Sequence, residues 1–137
     1  MMAILHCTAC GAALSGPISI GPAIADANEL EWSDGKPISP VGVAIESMDP
    51  MQKSFDPEHP AKLEFSPQFW MNPRDTEDAV ELVDDHCRLN GCCGLDGCDG
   101  PNMRCRRCKA EVGTRQSDCW TADVFIPQPG ATNWKST

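Results

Sequence analysis

The 137-residue sequence predicts a single α+β domain: a small, mainly antiparallel sheet with one helix, and a metal site like that of a zinc ribbon joining the chain ends. Three observations lead there. Apolar residues alternate with period two around Val43 and Leu63, an Asn-Pro-Arg-Asp helix start begins at Asn72, and Cys-x-x-Cys pairs stand at Cys7/Cys10 and Cys105/Cys108. Core material is modest, since the 41% hydrophobic content includes nine cysteines, there is no Tyr, and 11 glycines and 12 prolines interrupt the chain. Such a loop-rich fold calls for staples.

From the start of the chain, Cys7-Thr8-Ala9-Cys10-Gly11 reads as a knuckle, and a short strand follows near Ile18 and Ile20. Residues 23–36 are polar and acidic, a loop with room for one helical turn, and Asp34-Gly35 is a turn signal. Val41, Val43 and Ile45 alternate with Gly42, Ala44 and Glu46 as in a half-buried strand that ends at Asp49-Pro50. After a break at Asp56-Pro57-Glu58-His59-Pro60, Leu63 and Phe65 alternate with Lys62, Glu64 and Ser66, so a second strand is expected there, running on past Pro67 to Met71.

Asn72 as N-cap, Pro73 at the first helical position and Asp75, Glu77 and Asp78 in the first turns predict a helix over residues 73–85. Ala79, Val80, Leu82 and Val83 supply its apolar side. The glycine-rich segment 91–102 has no regular period and carries three cysteines, which suggests that ligation holds it. Residues 110–114 and 124–126 read as strands flanking a turn that contains Cys119-Trp120.

Two Cys-x-x-Cys pairs can supply four thiolates to one tetrahedral zinc ion, so Cys7, Cys10, Cys105 and Cys108 are the first candidate ligand set. The 94 residues between the pairs far exceed the ~15–20 of a contiguous ribbon. That separation makes the site a closure between distant parts of the chain, and it leaves open the alternative that each pair ligates its own ion with central cysteines. Cys92 or Cys93, Cys98 and Cys119, completed by His86 or Cys87, form a second candidate set, and adjacent Cys92 and Cys93 are not both expected on one ion. Their plain alternative is a set of buried small residues or redox-labile thiols. His86 could otherwise cap the predicted helix, His6 could sit beside the first knuckle, and His59 reads as solvated.

The net charge of −9 opposes nucleic acid or an anionic membrane as a partner for the surface as a whole. Arg104, Arg106, Arg107, Lys109 and Arg115 nevertheless make a basic island. Either these residues offset the charge of a thiolate site, or the Arg104–Lys109 face binds nucleic acid. No apolar stretch approaches the ~20 residues of a membrane span, and the first residues lack the basic and apolar regions of a secretion signal. A reduced, cytoplasmic protein with zinc rather than disulfides is therefore expected. Sequence signatures of hydrolases, metalloproteases and deaminases are missing. The leading expectation is a structural zinc protein that binds another protein; the alternatives are a nucleic-acid-binding ribbon and a thiol enzyme or redox sensor using Cys92, Cys93 or Cys98.

The run Gly91-Cys92-Cys93-Gly94-Leu95-Asp96-Gly97-Cys98-Asp99-Gly100-Pro101-Asn102, with Cys105-x-x-Cys108, Ala110-Glu111-Val112-Gly113-Thr114 and Asp118-Cys119-Trp120, resembles a group of small uncharacterised bacterial proteins that begin with a Cys-x-x-Cys knuckle. The resemblance covers mainly residues 7–14 and 91–126. It implies metal binding and supplies no reaction.

Overall fold

A computed structural model describes residues 1–137 apart from 53, 55, 57 and 60, so Pro57 and Pro60 of the expected break lie outside the described residues. The chain forms a curled, mixed sheet of nine strands, half of a barrel, with no α-helix among the described residues. The strands are β1 (Met2–Cys7), β2 (Ile18–Ile20), β3 (Val43–Ser47), β4 (Gln68–Met71), β5 (Val80–Leu82), β6 (Met103–Cys105), β7 (Glu111–Gln116), β8 (Val124–Pro127) and β9 (Thr132–Ser136). They lie in the order β5-β6-β7-β8-β4-β3-β2-β1-β9. Of these nine strands, β2 and β3 pair in parallel and the other neighbours pair antiparallel.

Strand alternation sends neighbouring side chains to opposite faces, and both faces are covered. Met71 and Phe125 point into one cluster; Trp70, Val124 and Ile126 point into the other. The first cluster takes buried residues from eight strands, among them Leu5 of β1, Ile18 of β2, Ala44 of β3, Val112 of β7, Met103 of β6 and Val80 of β5. Strands far apart in the order share these contacts only because the sheet curls, so this cluster fills the concave side. The second cluster holds Trp70 under Ile38 and Leu63, contributed by the loops between strands. Inside it, Gln68 accepts the Trp70 indole N–H at 3.0 Å and donates to the Leu63 carbonyl at 2.8 Å. Among the described residues, every buried side-chain nitrogen or oxygen has a hydrogen-bond partner.

The α+β expectation is overturned, and with it the helix over residues 73–85. Its start signal works: Asn72 accepts the Arg74 N–H at 3.0 Å, and Pro73 opens a single 3-10 turn, Pro73–Asp75. The chain then leaves the helical path to form β5, where Val80 pairs with Cys105 and Leu82 with Met103. Val80 and Val83 are buried as β-branched residues suit a sheet, while Asp84 and Asp85 would have burdened the negative end of a helix. A helix of about three turns has little stability of its own, and pairing with β6 outweighs it. His86 consequently caps no helix and instead opens the exposed 3-10 turn His86–Arg88, whose N-cap is Asp85.

The strand expected from Lys62 to Met71 begins only at Gln68. Pro67 has no N–H for a ladder, and the Glu64 carboxylate turns inward to accept the N–H groups of Ser54 and Ala61. In β3 the fully buried positions are Ala44 and Ser47, with Val43 and Ile45 only half-buried. Among the described residues, no helix is long and apolar enough to cross a membrane.

Gly113 on β7 lies against the Phe125 ring, where an added Cβ would fall 2.5 Å from Cζ and 2.7 Å from the Ile126 carbonyl oxygen. Replacing it by Ala is expected to destabilise the fold by about 1–3 kcal/mol through overpacking of the β7–β8 pair. Urea unfolding of the variant checks this, and an unchanged midpoint would contradict the close packing.

Candidate metal centres

The concave sheet brings together the two knuckles that the sequence separates. Cys7 ends β1 and Cys105 ends β6, and each turn that follows closes in the same way. Gly11 N–H donates to the Cys7 carbonyl and Cys7 N–H to Ala12; Lys109 N–H donates to the Cys105 carbonyl and Cys105 N–H to Ala110. The residue after each second cysteine adopts the left-handed conformation, with φ 75° at Gly11 and 66° at Lys109. Glycine takes that conformation freely and lysine at some cost, so the turn shape is imposed by its surroundings.

All four sulfurs of Cys7, Cys10, Cys105 and Cys108 lie within 4.8 Å of one another. Cys7 Sγ is 3.6 Å from Cys108 Sγ, and Cys10 Sγ is 3.8 Å from Cys105 Sγ. Both separations are far longer than a disulfide bond of about 2.05 Å. They match the edge of a tetrahedron with metal–sulfur bonds of about 2.3 Å, which is about 3.8 Å. The group can hold a metal ion. Cys7 and Cys105 are buried while Cys108 is exposed, so one side of the group faces solvent.

The neighbouring basic residues are largely paired with carboxylates. Glu81 accepts from Arg104 Nε at 2.7 Å and Lys109 Nζ at 3.0 Å and lies 3.7 Å from Arg106; Arg104 also donates to Asp84 at 2.6 Å. Those contacts hold the Glu81 carboxyl below the usual carboxylate range. Arg104 and Lys109 thus pair with Glu81 and Asp84, whereas Arg106 and Arg107 stay exposed.

The second candidate set is rearranged. Cys92, Cys93 and Cys119 converge, with sulfurs within 4.8 Å of one another, whereas Cys98 and His86 stand apart from this group. Both members of the adjacent pair take part, where the sequence had allowed for one. Cys98 instead lies 3.5 Å from Gln52 Nε2. Its thiol is pushed up by burial and by the nearby Asp96 carboxylate. Cys87, Cys92, Cys93, Cys98 and Cys119 are all exposed, so none of them is a buried packing residue. His6 bonds to the Ile4 carbonyl, and the exposed His59 meets Asp56 at 2.7 Å.

Asp118 organises this group and had no role in the sequence reading. The carboxylate is buried and accepts the backbone N–H groups of Cys92 (3.0 Å), Cys93 (2.7 Å) and Cys119 (2.8 Å), together with the Trp120 indole N–H (3.0 Å). These donors, Cys93 N–H foremost, hold its carboxyl well below the usual range. A hydrogen bond with Cys93, followed by desolvation and the adjacent negative groups, pushes the Cys119 thiol up to about 12. The sequence signal for Asp118 is its place directly before Cys119-Trp120, where a short carboxylate can accept N–H groups from its own turn.

No protein-family model, curated protein or solved structure matches the chain. The chemistry of the two cysteine groups therefore carries the functional reading.

Asp118→Asn is expected to loosen the loop at Gly91 to Gly94 without unfolding the sheet, because an amide accepts more weakly and brings its own donors. Faster amide hydrogen exchange at Cys92, Cys93 and Cys119 checks this, and unchanged exchange would count against the carboxylate as organiser. The lowered Asp118 pKa fixes the pH sense: its stabilisation is fully present above the ordinary Asp value of about 3.9 and is lost only as pH falls below it.

Proposed function

We propose that this is a zinc-binding protein of the reducing cytoplasm, in which Cys7, Cys10, Cys105 and Cys108 hold a structural ion and the surface engages a protein partner. The sulfur separations of 3.6 and 3.8 Å across the two knuckles carry this reading, since they are those a tetrahedral zinc–thiolate site requires. Thiolate donors favour zinc over magnesium or calcium. Four protein ligands leave no position for water, so the ion fastens the fold and does not hydrolyse substrates. For the partner, the support is an apolar groove of about 220 Å³ lined by Trp32, Met51 and Trp120, with both indoles partly exposed. Exposed aromatic side chains are enriched where proteins meet.

Zinc bound only by the folded chain stabilises it by about 4 kcal/mol when free zinc is 1,000-fold above its dissociation constant. The reduced protein is accordingly expected to melt at a lower temperature after chelation and to recover on adding zinc. In Cys108→Ser, an exposed position of the clasp, that recovery is expected to be largely lost. Calorimetry with and without zinc reads the difference, and equal melting of chelated and zinc-loaded wild type would sink the structural role.

A further inference from the structure

We propose that Cys92, Cys93 and Cys119 form a second metal centre, a three-thiolate site for a thiophilic divalent cation of the zinc type whose fourth coordination position is open to a small ligand from solvent. This goes beyond the structural clasp and does not depend on it. The two sites share no residue, and they differ in kind.

The construction of the loop is the first argument. Adjacent residues of an extended chain point their side chains in opposite directions, so Cys92 and Cys93 can serve one ion only if the backbone between them is bent. Both flanking glycines are needed for that bend. A Cβ on Gly91 would fall 1.6 Å from the Gly94 carbonyl oxygen, and one on Gly94 would fall 2.4 Å from the Ser117 carbonyl oxygen. The loop is pressed onto the turn that carries Cys119, and reciprocal bonds join Leu95 N–H to Ser117 Oγ and Ser117 N–H to the Leu95 carbonyl.

Asp118 supplies the second argument. Consecutive N–H groups of Cys92 and Cys93 reach the two oxygens of this one buried carboxylate, a small nest of donors around an anion. Cys119 N–H shares the oxygen used by Cys93. One carboxylate therefore fixes the backbone of all three cysteines. That is how a ligand set is held ready before the ion arrives.

Exposure is the third. All three cysteines are exposed, whereas Cys7 and Cys105 of the clasp are buried. Three protein ligands with one solvent-facing position is the arrangement of zinc centres that bind an exchangeable ligand, in contrast to closed four-ligand structural sites. Three sulfurs and no oxygen or nitrogen among the ligands select a soft ion of the zinc type over magnesium or calcium.

The test uses the full chain, reduced, with zinc and cobalt(II) as probes. Wild type is expected to bind two zinc equivalents, and Cys119→Ser and Cys93→Ser one each, with the wild-type melting behaviour of the zinc-loaded clasp retained. In cobalt-loaded wild type, imidazole is expected to change the visible absorption, and in cobalt-loaded Cys119→Ser it is not. Zinc should also protect Cys92, Cys93 and Cys119 of wild type from alkylation, read cysteine by cysteine by mass spectrometry, a measurement that stands even if a variant fails to fold. A zinc count in Cys119→Ser equal to that of wild type, or alkylation of these three cysteines undiminished by zinc, would each overturn the proposal. Cys108→Ser separates the two readings: a failed clasp leaves its zinc count unchanged, while a failed open site leaves Cys119→Ser unchanged.

Discussion

Everything in this fold depends on the meeting of β1 and β6. Five strands lie between them in the sheet, so the Cys7 and Cys105 knuckles touch only if the sheet curls far enough to bring its two sides together. β1 and β6 are each the second strand from an edge, with β9 and β5 outside them. A crosslink placed there draws in nearly the whole breadth of the sheet. The concave cluster runs along the same path, since Leu5 and Cys7 share it with Val80, Met103 and Cys105. Ligation of one ion by these four sulfurs would favour the same closed shape as the apolar burial. The outer strands are blunted by other means: β5 is three residues long, and β9 carries the exposed Lys135.

What the sequence revealed was local chemistry; what it concealed was pairing. The Cys-x-x-Cys spacing, the Asp34-Gly35 turn, the short strand at Ile18 and the cap at Asn72 each depend on neighbours a few residues away, and each lies where its residues suggest. The helix after Asn72 depended on a competitor that no local pattern exposes, namely the unpaired edge of β6, 23 residues further on at Arg104 opposite Glu81. The same blindness hid β1 and β9, whose partners stand at opposite ends of the chain. Residue types hinted at the outcome in one place: Val80 and Val83 suit a strand, and Asp84-Asp85 is a poor helix ending.

The two cysteine groups show how the same side chain acquires different properties from its surroundings. At the clasp, the sulfurs sit at the ends of paired strands, two are buried, and carboxylates nearby are occupied by Arg104 and Lys109. In the Gly-Cys-Cys-Gly loop, the neighbouring anion is Asp118, which accepts three backbone N–H groups and the Trp120 indole N–H. The loop thus gathers three sulfurs around one carboxylate.

That gathering bears on why the loop is built with such precision. Thiols that merely need to be present at a surface require neither two glycines in forced contact with neighbouring backbone nor a buried carboxylate with four donors. Ordering a loop costs conformational entropy for each residue fixed, and glycine loses more than any other. The cost is offset here by hydrogen bonds that position sulfurs and do little for the core, since the concave cluster contains no residue of segment 91–102. Its hydrogen bonds bring the three cysteines together on one side of the turn at Asp118, and a single ion held by their sulfurs is what the proposed second centre would add to that arrangement.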